Sequence, residues 1–184
     1  MTDFSDMLRK RVFASPRGHL VRHGGTDLND RNVIRGWKDV PLNDDGHAQA
    51  ARLARQLKGK VDIVYSSDLK RARQTADDIA AANRVRTVHE RGLRPWDVGK
   101  YAGQDSGKMG ILLAKAASKT PDKPLDGGES FNSFKDRFLG TVMDIARKEK
   151  GKRVALVTHH RGERVFAAWE KKGKIGRASC RERV

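Results

Sequence analysis

From Gly18 onward, the apolar positions alternate between short unbroken runs and helical spacing, and this alternation predicts the order of the elements. Leu20-Val21 is a short strand signal, flanked by Gly18 and His19. Ala48, Ala51, Leu53, Ala54 and Leu57 recur at helical intervals and predict a helix closed by Gly59. Val61 to Tyr65 reads as a second strand, after which Ser66-Ser67-Asp68 is expected to cap a helix over about 69–82. Arg86 to His89 predicts a third strand. Gly92 to Gly107 predicts a loop, followed by a helix over about 108–118. Pro121 to Gly128 reads as another loop, and Ser130 starts a helix reaching about Lys148. Arg153 to Thr158 is the most apolar strand, with a final helix after Arg161. Ahead of all this, Phe4, Met7, Leu8 and Val12 predict a short helix ending at Ser15-Pro16.

Strands alternating with helices predict an α/β fold, three layers α/β/α around a mainly parallel sheet. In open sheets of this kind, ligands bind beyond the carboxyl ends of the strands. Three groups are expected there: Arg22-His23, the segment from Ser66 to Arg73, and His159-His160.

The 184 residues suit one domain with a real core, placed at 18–174 behind an extension at 1–17. No apolar run has the length of a membrane span, and the N-terminus lacks the apolar stretch of a signal peptide, so a cytoplasmic protein is expected. One cysteine and six histidines offer neither a disulfide framework nor zinc-ligand spacing. The last ten residues, Ile175 to Val184, read codon for codon as a widely used short-read sequencing adapter. They are therefore expected to be foreign to the fold, with the natural reading frame interrupted near Lys174.

The formal charge is +16, or +14 without that tail, which carries three arginines and one glutamate. Such a balance attracts anions, either nucleic acid or a phosphorylated substrate. The basic residues are spread along the whole chain, and the three tryptophans, two tyrosines and six phenylalanines form no cluster for base stacking. Nucleic acid is therefore not expected as a specific partner, and any such binding would be nonspecific.

Arg22-His23-Gly24-Gly25-Thr26 at the end of the first strand suits a phosphoryl group. The guanidinium brings fixed charge and forked donors. Small residues let backbone N–H groups approach an anion, and the imidazole is a nucleophile. Further along the chain stand Thr26 to Asn29, Arg35-Gly36-Trp37-Lys38-Asp39-Val40-Pro41-Leu42, Ser66-Ser67-Asp68-Leu69-Lys70-Arg71-Ala72-Arg73-Gln74-Thr75-Ala76, Gly127-Gly128-Glu129-Ser130 and Val157-Thr158-His159. In this order, over about Leu20 to Ala168, the segments resemble the motifs of the histidine phosphatase superfamily, the phosphoglycerate-mutase-like fold.

The resemblance implies that His23 is the nucleophile and becomes a phosphohistidine. It implies that Arg22, Arg71 and His159 surround the transferred group. Asn29, Thr26, Gly24 and His160 contribute to substrate binding, and neither a cofactor nor a metal takes part. Arg73 lies about 200° round the helix from Arg71 and is expected to face solvent. The implied partner is a small phosphorylated substrate or a phosphoprotein. The implied reaction is hydrolysis of a phosphomonoester or a related compound. A phosphoglycerate-type mutase, which needs a more closed pocket, and a non-catalytic phosphate-binding relative are the competing readings.

Three positions depart from the family pattern. Gly25 replaces an acidic residue, His160-Arg161 replaces glycines after the second histidine, and Pro95 replaces the acidic residue that serves as proton donor. Asp97, two positions on, is the expected substitute, with Glu129 the other candidate.

Overall fold

A computed structural model describes residues 18–172; the expected N-terminal helix and the adapter-like tail lie outside the described residues. Four parallel strands form the central sheet in the order β1-β4-β2-β3, made of β1 (His19–Arg22), β2 (Ile63–Ser66), β3 (Thr87–His89) and β4 (Val154–Thr158). Among the described residues, six helices accompany them: α1 (Asp27–Asp30), α2 (Asp44–Gln56), α3 (Lys70–Asn83), α4 (Ser106–Lys119), α5 (Phe131–Lys148) and α6 (His160–Lys172). None of these helices is long and apolar enough to cross a membrane.

Side chains alternate along the strands, so each strand feeds both faces of the sheet. Val21, Val64, Ala155 and Val157 face the layer of α2 and α3, where they pack with Ala54, Leu57, Ala72, Ala76 and Ile79. Small residues on α3 bring that helix close to the sheet. Ile63, Tyr65, Val154 and Leu156 face the other layer, built from Phe134, Phe138, Val142 and Ile145 of α5 with Val165 and Phe166 of α6. Phe134 and Phe138 are fully buried, and burial on that scale contributes about 1.5–3 kcal/mol each. The expected three-layer α/β/α architecture is the observed one.

Two local expectations are corrected. Ser66-Ser67-Asp68 does not cap α3 through a short-range bond to its first turn. The N–H of Lys70 is instead accepted by Asp39 Oδ1 at 2.7 Å, while Asp68 pairs with Arg94 at 2.7 Å. A residue brought from elsewhere in the chain thus replaces the sequential cap. The final helix begins at His160, before Arg161, because the His159 carbonyl accepts from the Glu163 N–H at 3.1 Å. At α5 the expectation holds: Ser130 Oγ accepts from the Ser133 N–H at 3.1 Å.

The long loop between β3 and α4 carries two 3-10 turns, Arg91–Leu93 and Gly99–Tyr101. It is anchored by side chains that the local pattern does not reveal. Arg137 of α5 donates to the carbonyls of Gly92, Arg94 and Pro95, and Trp37 Nε1 donates to the Pro95 carbonyl at 2.8 Å. Arg91, Arg94 and Arg137 all stand over the Trp37 ring, so this indole locks the loop.

Candidate active site

Strand register brings the two histidines together. Arg22 of β1 pairs with Thr158 of β4, so His23 and His159 leave the sheet side by side. The ladder runs one step further, with the His23 N–H donating to the Thr158 carbonyl at 3.1 Å. Neighbouring strands lie about 4.8 Å apart, and the two ring centroids are 5.0 Å apart at 58°.

His23 is buried, and its Nδ1 lies 2.6 Å from the Gly24 carbonyl. A carbonyl only accepts, so Nδ1 carries the proton and Nε2 keeps its lone pair. Burial, together with the charge of Arg71, holds the His23 pKa well below its ordinary value, against the pull of that bond. The ring is therefore neutral near pH 7, the form a nucleophile requires.

His159 is buried as well, and neither ring nitrogen has a hydrogen-bond partner. Burial, then the neighbouring His23 and Arg71, keep its pKa well below the ordinary value. Leaving two such nitrogens unpaired is unfavourable by about 1–3 kcal/mol per group. An orphaned imidazole beside a free imidazole nitrogen is a site prepared for a ligand.

Arg71, at the start of α3, is 1 % exposed, whereas Arg73 faces solvent as expected. Its Nη1 donates to the Lys38 carbonyl at 2.7 Å and its Nη2 to the Gly36 carbonyl at 3.1 Å, and its Nε is unpartnered. Arg71 therefore holds the 35–38 loop and still lines the cavity. Burial and the nearby Arg35 bring its pKa down to about 9. Arg35 is itself lowered to about 10 by burial and by Arg22. Like-charged guanidiniums gathered at one cavity in this way favour an incoming anion.

Arg35 opens the Arg35 to Leu42 segment, and the sequence offers no sign that it belongs to the site. Its role is set by the loop that Arg71 pins, and no local signal marks it.

Thr26 Oγ1 donates to Asn29 Oδ1 at 2.8 Å, which leaves the Asn29 amide nitrogen to donate into the cavity that Asn29 lines. Thr26 does not itself line that cavity, and neither does Gly24. Its N–H donates to Thr75 Oγ1 at 3.1 Å, and a Cβ on it would lie 2.4 Å from the Gly46 carbonyl oxygen. Glycine is needed there for the close approach of two backbones.

These residues surround a cavity of about 370 Å³. Arg22, Arg35, Arg71 and Arg161 line it together with His23, His159, His160 and Asn29, and with Pro95, Trp96 and Val98 on one wall. Among the described residues, none of those lining it is a carboxylate. Asp97 Oδ1 accepts from the Gly99 N–H at 3.1 Å, capping its own turn. Glu129 pairs with Arg137 at 2.6 Å and accepts from the Asp97 N–H at 2.9 Å. Both expected proton donors are thus engaged in holding the loop, and Pro95, not either of them, lines the cavity. Among the described residues, no group of three or more His, Cys, Asp or Glu side chains stands together as a metal site requires.

Known proteins resemble this chain in sequence and fold. The sequence model of the histidine phosphatase superfamily (branch 1) matches residues 19–176. The chain is 40% identical over 148 residues to phosphoglycerate mutase-like protein 4 of Arabidopsis thaliana, covering 76% of this chain and 64% of that one. It is 38% identical to the metal-independent phosphoserine phosphatase of the same plant, covering 76% and 62%. The chain thus spans less than two thirds of the length of either. It is 32% identical to a broad-specificity phosphatase of Saccharomyces cerevisiae, over 83% of this chain and 69% of that one. A mycobacterial glucosyl-3-phosphoglycerate phosphatase superposes with a TM-score of 0.71 at 26% identity, covering 83% and 78% of the two chains. A phosphoserine phosphatase of Entamoeba histolytica, solved with 3-phosphoglyceric acid, gives 0.71 at 26% identity over 86% and 85%. With its two strand-edge histidines, its buried Arg71 and a family match that covers most of its length, the chain belongs to the histidine phosphatase superfamily.

Proposed function

We propose that the protein is a phosphatase that passes a phosphoryl group from a small phosphorylated compound, or from a phosphoprotein, to Nε2 of His23 and then to water. In the first step the Nε2–P bond forms as the P–O bond to the leaving group breaks. In the second a water oxygen attacks phosphorus, the N–P bond breaks, and inorganic phosphate leaves a neutral imidazole behind. The observation that carries this reading is the pairing of His23 with His159: one ring has its proton fixed on Nδ1, and the other has both nitrogens unpartnered.

Arg22, Arg35 and Arg71 neutralise the equatorial oxygens, which is the main demand of phosphoryl transfer. With that charge supplied by side chains, no metal enters the mechanism. A bound phosphate also raises the affinity of His159 for a proton, letting it donate to a phosphoryl oxygen. Water, in place of a side-chain carboxylic acid, supplies the proton to the leaving oxygen.

The phosphatase relatives support the hydrolytic direction. A second reading, a phosphate binder without turnover, draws on Asp97 and Glu129 being tied into the loop. The deciding experiment is to mix the protein with a radiolabelled aryl phosphate, quench without acid, and digest. Label on the peptide containing His23 supports the phosphatase. Tight binding of vanadate without any labelled peptide supports the binder.

A further inference from the structure

Arg161 lines the cavity with its guanidinium held over an aromatic side chain. Its guanidinium carbon stands 5.1 Å from the centroid of Trp96, whose own Nε1 donates to the Glu129 carbonyl at 3.0 Å. Trp96 is 1 % exposed and so is a fixed platform. Arg161 has no acidic partner among the described residues, although it lines the cavity. A partly buried guanidinium held over an aromatic face keeps its charge and its unused donors in a low-dielectric setting, where an anion gains most.

Arg161 shares the cavity with Arg22, Arg35 and Arg71. Burial and then Arg22 lower the Arg35 pKa, and burial and then Arg35 lower that of Arg71. Burial, and then Arg164 of its own helix, lower the Arg161 pKa. Arg22, Arg35 and Arg71 already exceed the charge of one phosphate dianion, so a further arginine in the same cavity has no partner in a simple monoester.

We propose that Arg161, stacked on Trp96, forms a second anion subsite, and that the substrate carries a carboxylate or a second phosphate besides the group transferred to His23. The inference rests on the reading of the His23 end as the phosphoryl site. It makes Arg161 the residue that selects among phosphorylated compounds.

Calorimetric binding of non-hydrolysable phosphonates tests this without requiring turnover. The probes are propylphosphonate, 3-phosphonopropionate and propane-1,3-diphosphonate, applied to the wild type, Arg161→Gln and Arg161→Lys, each checked for a native melting transition. The wild type is expected to bind the two doubly anionic probes at least about tenfold more tightly than propylphosphonate. That preference should collapse to within about threefold in Arg161→Gln and be partly kept in Arg161→Lys. The relative strength of the two doubly anionic probes tells carboxylate from phosphate. A wild type without preference, or a preference that survives in Arg161→Gln, overturns the proposal. Propylphosphonate binding without aryl phosphate turnover would instead defeat the phosphatase reading while leaving the subsite measurable.

Discussion

His159 lies 5.0 Å from His23, centroid to centroid, yet of the two only His23 has a ring hydrogen bond, from Nδ1 to the Gly24 carbonyl. The asymmetry separates their tasks. His23 presents a lone pair, and His159 waits for a group to satisfy it.

Replacing His23 with Ala is expected to lower kcat/KM for an aryl phosphate by at least about a thousandfold, since the covalent route is lost. Wild-type activity should persist in EDTA. Steady-state rates on the two proteins, with and without chelator, check both statements; hydrolysis that survives loss of His23 would refute the mechanism.

The cavity walls predict a steep dependence on the leaving group. Across substituted phenyl phosphates, kcat/KM should fall sharply as the phenol becomes more basic, because no carboxylic acid stands ready to protonate it. Pro95→Glu places one in the wall while keeping the backbone carbonyl that Trp37 and Arg137 hold. It should raise the rate on the most basic leaving groups by about ten- to a hundredfold and flatten the series. An unchanged slope in that variant would count against the assignment.

Arg71 has two roles, and its variants should separate them. Arg71→Lys retains a cation but cannot reach both the Gly36 and Lys38 carbonyls with a planar fork. A loss of about a hundredfold in kcat/KM is expected, with a stability loss of about 1–3 kcal/mol from loop acceptors left unpaired. Kinetics and denaturant melts, run on the same preparation, measure the two effects.

Stability should decline as pH falls from neutrality. His23 and His159 have folded pKa values depressed below the ordinary 6.5. Between those depressed values and 6.5, the unfolded chain binds protons that the folded chain does not, so ΔG of unfolding rises with pH across that window. Above 6.5 the contribution is complete and flat. The slope approaches about 1.4 kcal/mol per pH unit for each histidine. His159→Asn should reduce the slope, as should saturating phosphate, whose charge favours the imidazolium. Melting temperatures between pH 5 and about 8 test the sign.

Close contact between two backbones makes a final prediction. A Cβ at Gly46 would stand 2.1 Å from the Gly25 carbonyl oxygen, so Gly46→Ala must push α2 away from the turn after β1. A loss of about 2–4 kcal/mol is expected, accompanied by reduced activity because that turn carries His23.

The sequence by itself determined the order of elements, the parallel α/β class and the strand-edge positions of His23 and His159. Those follow from local periodicity: runs such as Val154 to Thr158 bury both faces, and α3 marks its inner side by the spacing of Arg71, Ala72, Thr75 and Ala76. Only the tertiary structure decided which charged groups reach the cavity. Arg35 joins it because Arg71 pins the 35–38 loop, while Asp97 and Glu129 are held at the Pro95 loop by Gly99 and Arg137. Asp39 caps α3 across 31 residues, where the local Ser66-Ser67-Asp68 signal pointed elsewhere. Long polar side chains choose partners by proximity in space. Their hydrogen bonds leave no period in the chain, whereas apolar burial does.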